Sequence, residues 1–91
     1  MKQIEIYKNL QEIAEKFKIS VSEKNFRVTG LPVKSGFCKI KGENYILVDK
    51  HKKIREKNEI IARCLIECPI SDIYIVPAVR DYLEKFLRDK K

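Results

Sequence analysis

The sequence predicts an α+β domain, with a small antiparallel sheet built on a central hairpin. Three helices are predicted to pack on one face of the sheet, in the order helix, strands, helix, helix. Three observations support this fold: a hairpin pattern over residues 37–49, apolar stripes at helical spacing on either side of it, and a proline at position 77 suited to opening a last helix. The length of 91 residues is that of a single domain spanning residues 1–91.

Residues 2–18 are predicted to form the first helix. Apolar side chains recur there at spacings of three and four and make one stripe: Ile6, Tyr7, Leu10, Ile13, Ala14 and Phe17. Short alternating segments follow at residues 19–22 and 26–28 and are predicted to be strands.

Residues 37–41 and 45–49 are predicted to pair as a hairpin around the loop Gly42-Glu43-Asn44. Successive side chains of a strand point to opposite faces. Cys38 and Ile40 are therefore expected on one face, which we interpret as the core, while Lys39 and Lys41 are expected to be solvated.

Two further helices complete the prediction. Residues 52–67 form the second, which Pro69 ends, because proline disfavours helical geometry in the residue before it. Residues 73–76 are apolar enough for a short strand, and Pro77 opens the third helix. The predicted core consists of Leu10, Ile13, Phe17, Cys38, Ile40, Ile46, Val48, Ile61, Leu65, Leu83 and Phe86.

The charge balance is basic, with 20 Lys and Arg against 13 Asp and Glu and a net charge of +7. A basic protein is suited to nucleic acid or to another anionic partner. Six residues are the candidates for an anion-binding patch: Lys39, Lys41, Lys50, Lys52, Lys53 and Arg55. The basic residues are nevertheless spread along the whole chain, which is typical of a solvated surface.

The location predicted from the sequence is the cytoplasm. The chain has no apolar run of about 18 residues, so neither a membrane span nor a membrane partner is expected. Its first residues alternate charged and apolar groups, which differs from a secretory signal.

No catalytic residue is predicted, and the protein is not expected to be an enzyme or to need a cofactor. The single histidine, His51, lies among lysines and is interpreted as a solvated loop residue. The chain has neither a glycine-rich phosphate loop nor a carboxylate pair suited to acid–base work.

The three cysteines, Cys38, Cys64 and Cys68, are an odd number in a chain without an export signal, so no disulfide framework is expected. Cys64 and Cys68 lie one helical turn apart, but the second closely spaced pair of a structural zinc site is missing. No metal is therefore predicted.

Arg80 is predicted to tie the last helix to the rest of the domain. An arginine in the first turn of a helix opposes the helix dipole, which favours a specific acceptor for it. The predicted acceptors are a carboxylate, with Asp72 or Glu67 nearest in sequence, or a main-chain carbonyl of the connector before the helix. The alternative is a solvated arginine.

Segments from Ser35 onward carry a resemblance to a known family. The runs Ser-Gly-Phe-Cys-Lys-Ile-Lys-Gly, Tyr-Ile-Leu-Val-Asp and Ile-Tyr-Ile-Val-Pro-Ala-Val-Arg resemble a family of small uncharacterised bacterial proteins. Its members have a Gly-Gly-x-Cys hairpin and a Pro-x-x-Arg opening of the last helix. The resemblance implies bacterial origin and no particular activity, and Ser35 stands where the family has its first glycine.

The layout is also distantly similar to a minimal zinc metallopeptidase, in which a hairpin precedes a helix reading Ala-His-Glu-x-x-His. The matching segment here is Ala-Arg-Cys-Leu-Ile-Glu at residues 62–67. Arg63 and Glu67 replace the two histidines and Cys64 replaces the glutamate, so both ligands and the general base of that chemistry are missing.

The leading functional interpretation is a small non-catalytic domain that acts through protein–protein contact, with another protein or with a second copy as a homodimer. A thin core of this size gains stability from association. The second interpretation is nucleic-acid or anionic-ligand binding through the six basic residues. The third is a thiol or metal-binding protein that uses the three cysteines.

Overall fold

The computed structural model describes residues 1–25 and 36–89. Within them the chain forms helix α1 (Gln3–Lys16), strands β1 (Ile19–Lys24), β2 (Gly36–Ile40) and β3 (Glu43–Asp49), and helices α2 (Ile54–Leu65) and α3 (Pro77–Asp89), with a 3₁₀ turn at Ile70–Asp72. This arrangement confirms the predicted α+β class. The strand predicted at residues 26–28 lies outside the described part of the chain.

The three strands form a mixed sheet in the order β1-β3-β2. Strand β2 runs antiparallel to β3, as the hairpin prediction requires, but β1 runs parallel to β3. The prediction of a purely antiparallel sheet was therefore wrong in this respect. Alternation of apolar and polar residues indicates which face a strand buries, but it does not encode the direction of the neighbouring strand.

The hairpin turn contains two residues, Lys41 and Gly42, rather than the predicted three. Both have positive φ angles, 50° and 82°, which is the geometry of a type I′ turn. The shorter turn pairs Cys38 with Tyr45, three positions along β3 from the residue that the prediction places opposite it.

That odd shift exchanges the two faces of β2 relative to β3. Phe37, paired with Ile46, shares the face that the helices cover, while Cys38 and Ile40 lie on the other face. Ile40 is exposed and Cys38 is only partly buried, so the prediction that both belong to the core was wrong.

The core lies between the sheet and the helices. Leu10, Ile13, Ile46, Ile61, Leu65 and Leu83 are buried in one cluster, and Phe17 and Phe86 are partly buried against it, as predicted. Val48 is fully buried as well. Helix α1 packs on β1, α2 packs on β3 and β2, and α3 packs on the two other helices.

The connector before α3 differs from its prediction. Residues 73–76 are not a strand, and Ile75 is instead buried in the core cluster. Ile73 and Val76 are partly buried against the same cluster, so three of the four apolar residues are explained by burial rather than by pairing in the sheet. Pro77 opens α3 as predicted.

None of the helices in residues 1–25 and 36–89 combines the length and the apolar character needed to cross a membrane.

Candidate functional site

The six basic residues predicted as one patch lie in two separate groups. Lys39 and Lys41, here called the hairpin-end lysines, lie beside the start of β3, whereas residues 50–55 follow its end. A strand of seven residues spans roughly 20 Å. The structure therefore does not bring the six residues into a single patch.

The second group is joined by a residue that the sequence reasoning missed. Because β1 and β3 are parallel, their carboxyl ends lie at the same edge of the sheet, with Lys24 in register with Asp49. The Lys50 N–H donates to the Lys24 carbonyl at 3.0 Å. We call the exposed residues at this edge the strand-end basic cluster: Lys24, Lys50, His51, Lys52 and Lys53.

The loop that carries the cluster is held by Asp49. Its Oδ1 atom accepts the His51 N–H at 3.0 Å, and its carbonyl accepts the Lys52 N–H at 3.1 Å. Helix α2 begins directly afterwards, and no side chain of the described residues caps it. The uncapped N–H groups of the first helical turn add positive potential at the same edge.

Acidic neighbours reduce the charge of the cluster only in part. Lys52 lies 3.7 Å from Glu56, one turn along α2, and Arg55 lies 3.7 Å from Glu59. Exposed pairs of this kind are weak and readily exchanged for another anion. Within the described part of the chain, the three other lysines of the cluster form no ion pair.

A partly exposed brace of hydrogen bonds, centred on Glu23, lies next to this edge of the sheet. The Tyr7 hydroxyl donates to Glu23 Oε2 at 2.5 Å, and Lys57 Nζ donates to Glu23 Oε1 at 2.7 Å. The hydrogen bond from Lys57, and then that from Tyr7, hold the pKa of Glu23 below its ordinary value, while burial acts in the opposite direction. The brace joins α1, β1 and α2, and it occupies Lys57, which is therefore not counted in the cluster.

Arg55 lines a cleft of about 680 Å³ between α2, α3 and the start of α1. Charged side chains of both signs line this cleft: Arg55, Glu59, Asp81 and Lys85. The hydroxyl of Tyr82, which also lines it, is buried without a hydrogen-bond partner among the described residues. Burial, and then the charge of Glu59, raise the pKa of Tyr82 to about 12. The balanced charges make this cleft a poor anion site.

The three cysteines are free thiols. Burial is the main cause that raises the pKa of Cys64, and a hydrogen bond from the Phe37 backbone opposes it. Burial also raises the pKa of Cys68. A raised pKa lowers the thiolate fraction, so neither thiol is activated as a nucleophile. No group of three metal-ligating side chains occurs in residues 1–25 and 36–89.

Arg80 lies in the first turn of α3. Its Nη2 atom donates to the main-chain carbonyl of Ile73 at 3.2 Å. The acceptor is a carbonyl of the connector, which is one of the two kinds of partner that the sequence predicts. The contact joins the start of α3 to the segment that leads into it.

Comparison of this chain with known protein families, with characterised proteins and with solved structures finds no match.

Proposed function

We propose that this is a non-catalytic domain that binds the phosphate backbone of nucleic acid through the strand-end basic cluster. The observation that carries the proposal is the parallel pairing of β1 with β3, which adds Lys24 to the lysines that follow β3. Four lysines and one histidine then share one exposed edge of the domain.

Lysines bind phosphates as point charges and release the counterions of the nucleic acid. The cluster contains no asparagine, glutamine or arginine of the kind that reads base edges, so the proposed binding is independent of base sequence. Three lysines without an ion pair in the described part of the chain correspond to a slope of log K against log salt of about −2.7 for duplex DNA. Raising the salt from about 50 to 200 mM then weakens binding by about 40-fold.

The separation of the two lysine groups provides a matched control. Lys50→Glu/Lys53→Glu reverses two charges in the cluster, and Lys39→Glu/Lys41→Glu reverses two charges at the hairpin end. The two variants have the same net charge and differ only in where it is placed. All four side chains are exposed, so both variants are expected to fold.

The test is fluorescence anisotropy with a labelled duplex DNA of random sequence, titrated at several salt concentrations. For the cluster variant we expect much weaker binding, with at most about a fourfold change between about 50 and 200 mM salt. The hairpin-end variant should keep the wild-type slope. An equal loss in both variants would assign the binding to net charge alone, and wild-type protein that does not bind at low salt would overturn the proposal.

A second candidate is protein–protein contact, the leading interpretation of the sequence, with another protein or with a second copy of the chain. The observation that favours it lies on β2, where Phe37 is 56% exposed and Ile40 is 43% exposed. Each face of the sheet thus carries one large exposed apolar side chain at β2, which a partner lying along this strand would cover. Sedimentation velocity over a range of concentrations tests the homodimer.

We also propose a cytoplasmic location, a bacterial origin and membership of the family with the Gly-Gly-x-Cys hairpin. The resemblance of the hairpin and of the Pro77 to Arg80 segment supports the origin and the family, and the composition of the sequence supports the location. Cell fractionation of a bacterial source tests the location.

A further inference from the structure

Strand β2 forms one edge of the sheet within the described residues. The strand order is β1-β3-β2, and β2 pairs there with β3 on one side only. An edge strand presents main-chain N–H and C=O groups that another strand can pair with. Which groups are presented depends on the register.

The type I′ turn settles the register of the main-chain hydrogen bonds. In a two-residue hairpin the closing pair, here Ile40 and Glu43, exchanges both of its hydrogen bonds. The pattern alternates along the ladder, so the next such pair is Cys38 with Tyr45. Phe37 and Lys39 therefore direct their main-chain groups away from β3, toward the outer side of β2.

One main-chain group on the outer side of β2 already has a hydrogen-bond partner within the domain. The Phe37 backbone hydrogen-bonds the Cys64 thiol of α2, and because that bond lowers the pKa of the thiol, its donor is the Phe37 N–H. The N–H and C=O of Lys39, and the C=O of Phe37, lie farther toward the hairpin end. Within residues 1–25 and 36–89, the outer side of β2 thus offers its pairing groups around Lys39.

The exposed side chains flank these groups on both faces. Phe37 shares the face of its partner Ile46, and Ile40 lies on the opposite face. A strand added beside Lys39 would therefore cover apolar surface on both faces of the sheet, in addition to pairing with the main chain.

Two partners could pair with the outer side of β2: a second copy of the chain or a strand of another protein. The charge of the lysines near this strand favours one of them. Antiparallel pairing of two copies about Lys39 would place the two Lys39 side chains opposite one another, and like charges across a strand pair are unfavourable. The net charge of +7 adds repulsion between copies. Acidic side chains on the incoming strand would instead face these lysines favourably.

From these observations we infer that β2 is an acceptor strand for an extended, acidic segment of another protein, which adds to the sheet beside Lys39. The inference rests on the second candidate function, protein contact, and is independent of the nucleic-acid proposal. It names the partner by chemistry, a strand that alternates acidic and β-branched residues, and it disfavours the homodimer through this edge.

The test uses three synthetic peptides with blocked ends. The first alternates glutamate and valine, the second alternates lysine and valine, and the third is the acidic peptide with a central proline, which cannot continue a strand pair. Isothermal titration calorimetry measures affinity, and hydrogen exchange followed by NMR measures protection of the Lys39 amide. The expected result is binding of the first peptide only, with Lys39 amide exchange slowed at least about tenfold.

For the acidic peptide, the hairpin-end charge reversal is the test variant and the charge reversal in the strand-end basic cluster is its control. Lys39→Glu/Lys41→Glu should weaken binding of the acidic peptide by at least about tenfold, whereas Lys50→Glu/Lys53→Glu should change it by less than about threefold. Circular dichroism establishes that both are folded, and Lys39→Gln/Lys41→Gln should give an intermediate loss.

Three outcomes would overturn the inference. An equal effect of the two charge reversals would reduce the binding to net charge, and equal binding of the proline peptide would exclude strand pairing. Protection of the Lys39 amide that rises with protein concentration in the absence of peptide would make a second copy the occupant. The DNA titration uses a different probe and the opposite variant, so either proposal can fail without the other.

Discussion

Replacing Glu23 by glutamine should destabilise the domain more than its position near the surface suggests. Glu23 accepts hydrogen bonds from Tyr7 and Lys57 at once and thereby joins α1, β1 and α2. Glutamine keeps the size of the side chain but removes the charge. The Lys57 side chain, only 12% exposed, would then keep its own charge without a counter-ion.

The magnitude follows from the two contacts. A hydrogen bond to a charged group contributes about 1.5–3 kcal/mol to stability. The Glu23 side chain is 35% exposed, so solvent screens part of this energy. We therefore expect a loss of about 1–2 kcal/mol for the pair of contacts. With a urea m-value near 1.5 kcal/mol/M, the unfolding midpoint falls by about 1 M.

The dependence on pH has a defined sign. The folded-state pKa of Glu23 lies below its ordinary value of 4.5. The unfolded chain therefore binds more protons than the folded one in acid, and the stabilisation by ionised Glu23 is complete above the unfolded pKa and is lost as the pH falls through the folded pKa. The difference in stability between wild type and Glu23→Gln should accordingly shrink as the pH falls below about 4.5.

Urea denaturation followed by circular dichroism, at neutral pH and in acid, measures both effects. Glu56→Gln is the matched control, because Glu56 pairs with Lys52 at 3.7 Å on the exposed surface of α2. This control should change the free energy of unfolding by less than about 0.5 kcal/mol. A Glu23→Gln variant no less stable than the control, or equally separated from wild type at both pH values, would refute the brace.

Three further predictions concern stability, each measured as the urea midpoint. Leu65→Ala removes a fully buried side chain and should cost about 2–5 kcal/mol; an unchanged midpoint would contradict its place in the core. Gly42→Ala should cost about 1 kcal/mol through backbone strain alone, since Gly42 has φ 82° and no atom of the described residues lies within 4 Å of an added Cβ; Gly42→Asn should cost less, and equal costs would argue against the turn geometry. Tyr82→Phe removes a buried hydroxyl that has no hydrogen-bond partner among the described residues, so its midpoint should stay or rise, and a clear fall would mean that the hydroxyl is satisfied.

The sequence by itself determined the fold class, the three helices and the existence of the hairpin. Each of these follows from local information. The face that a helix buries is written in the spacing of its own apolar residues, which is why Leu10, Ile61 and Leu83 were predicted as core and are buried. Pro77 marked the start of α3 for an equally local reason, its fixed backbone angle.

Only the tertiary structure decided the direction of β1, the register of β2 and the composition of the basic surface. The register depends on a turn one residue shorter than the predicted one, and this moved Ile40 from the expected core to the exposed face. Lys24 and Lys50 lie far apart in the chain and meet because β1 pairs in parallel with β3. The direction of such a long-range pairing is set by the packing of whole elements, which no spacing within a segment records.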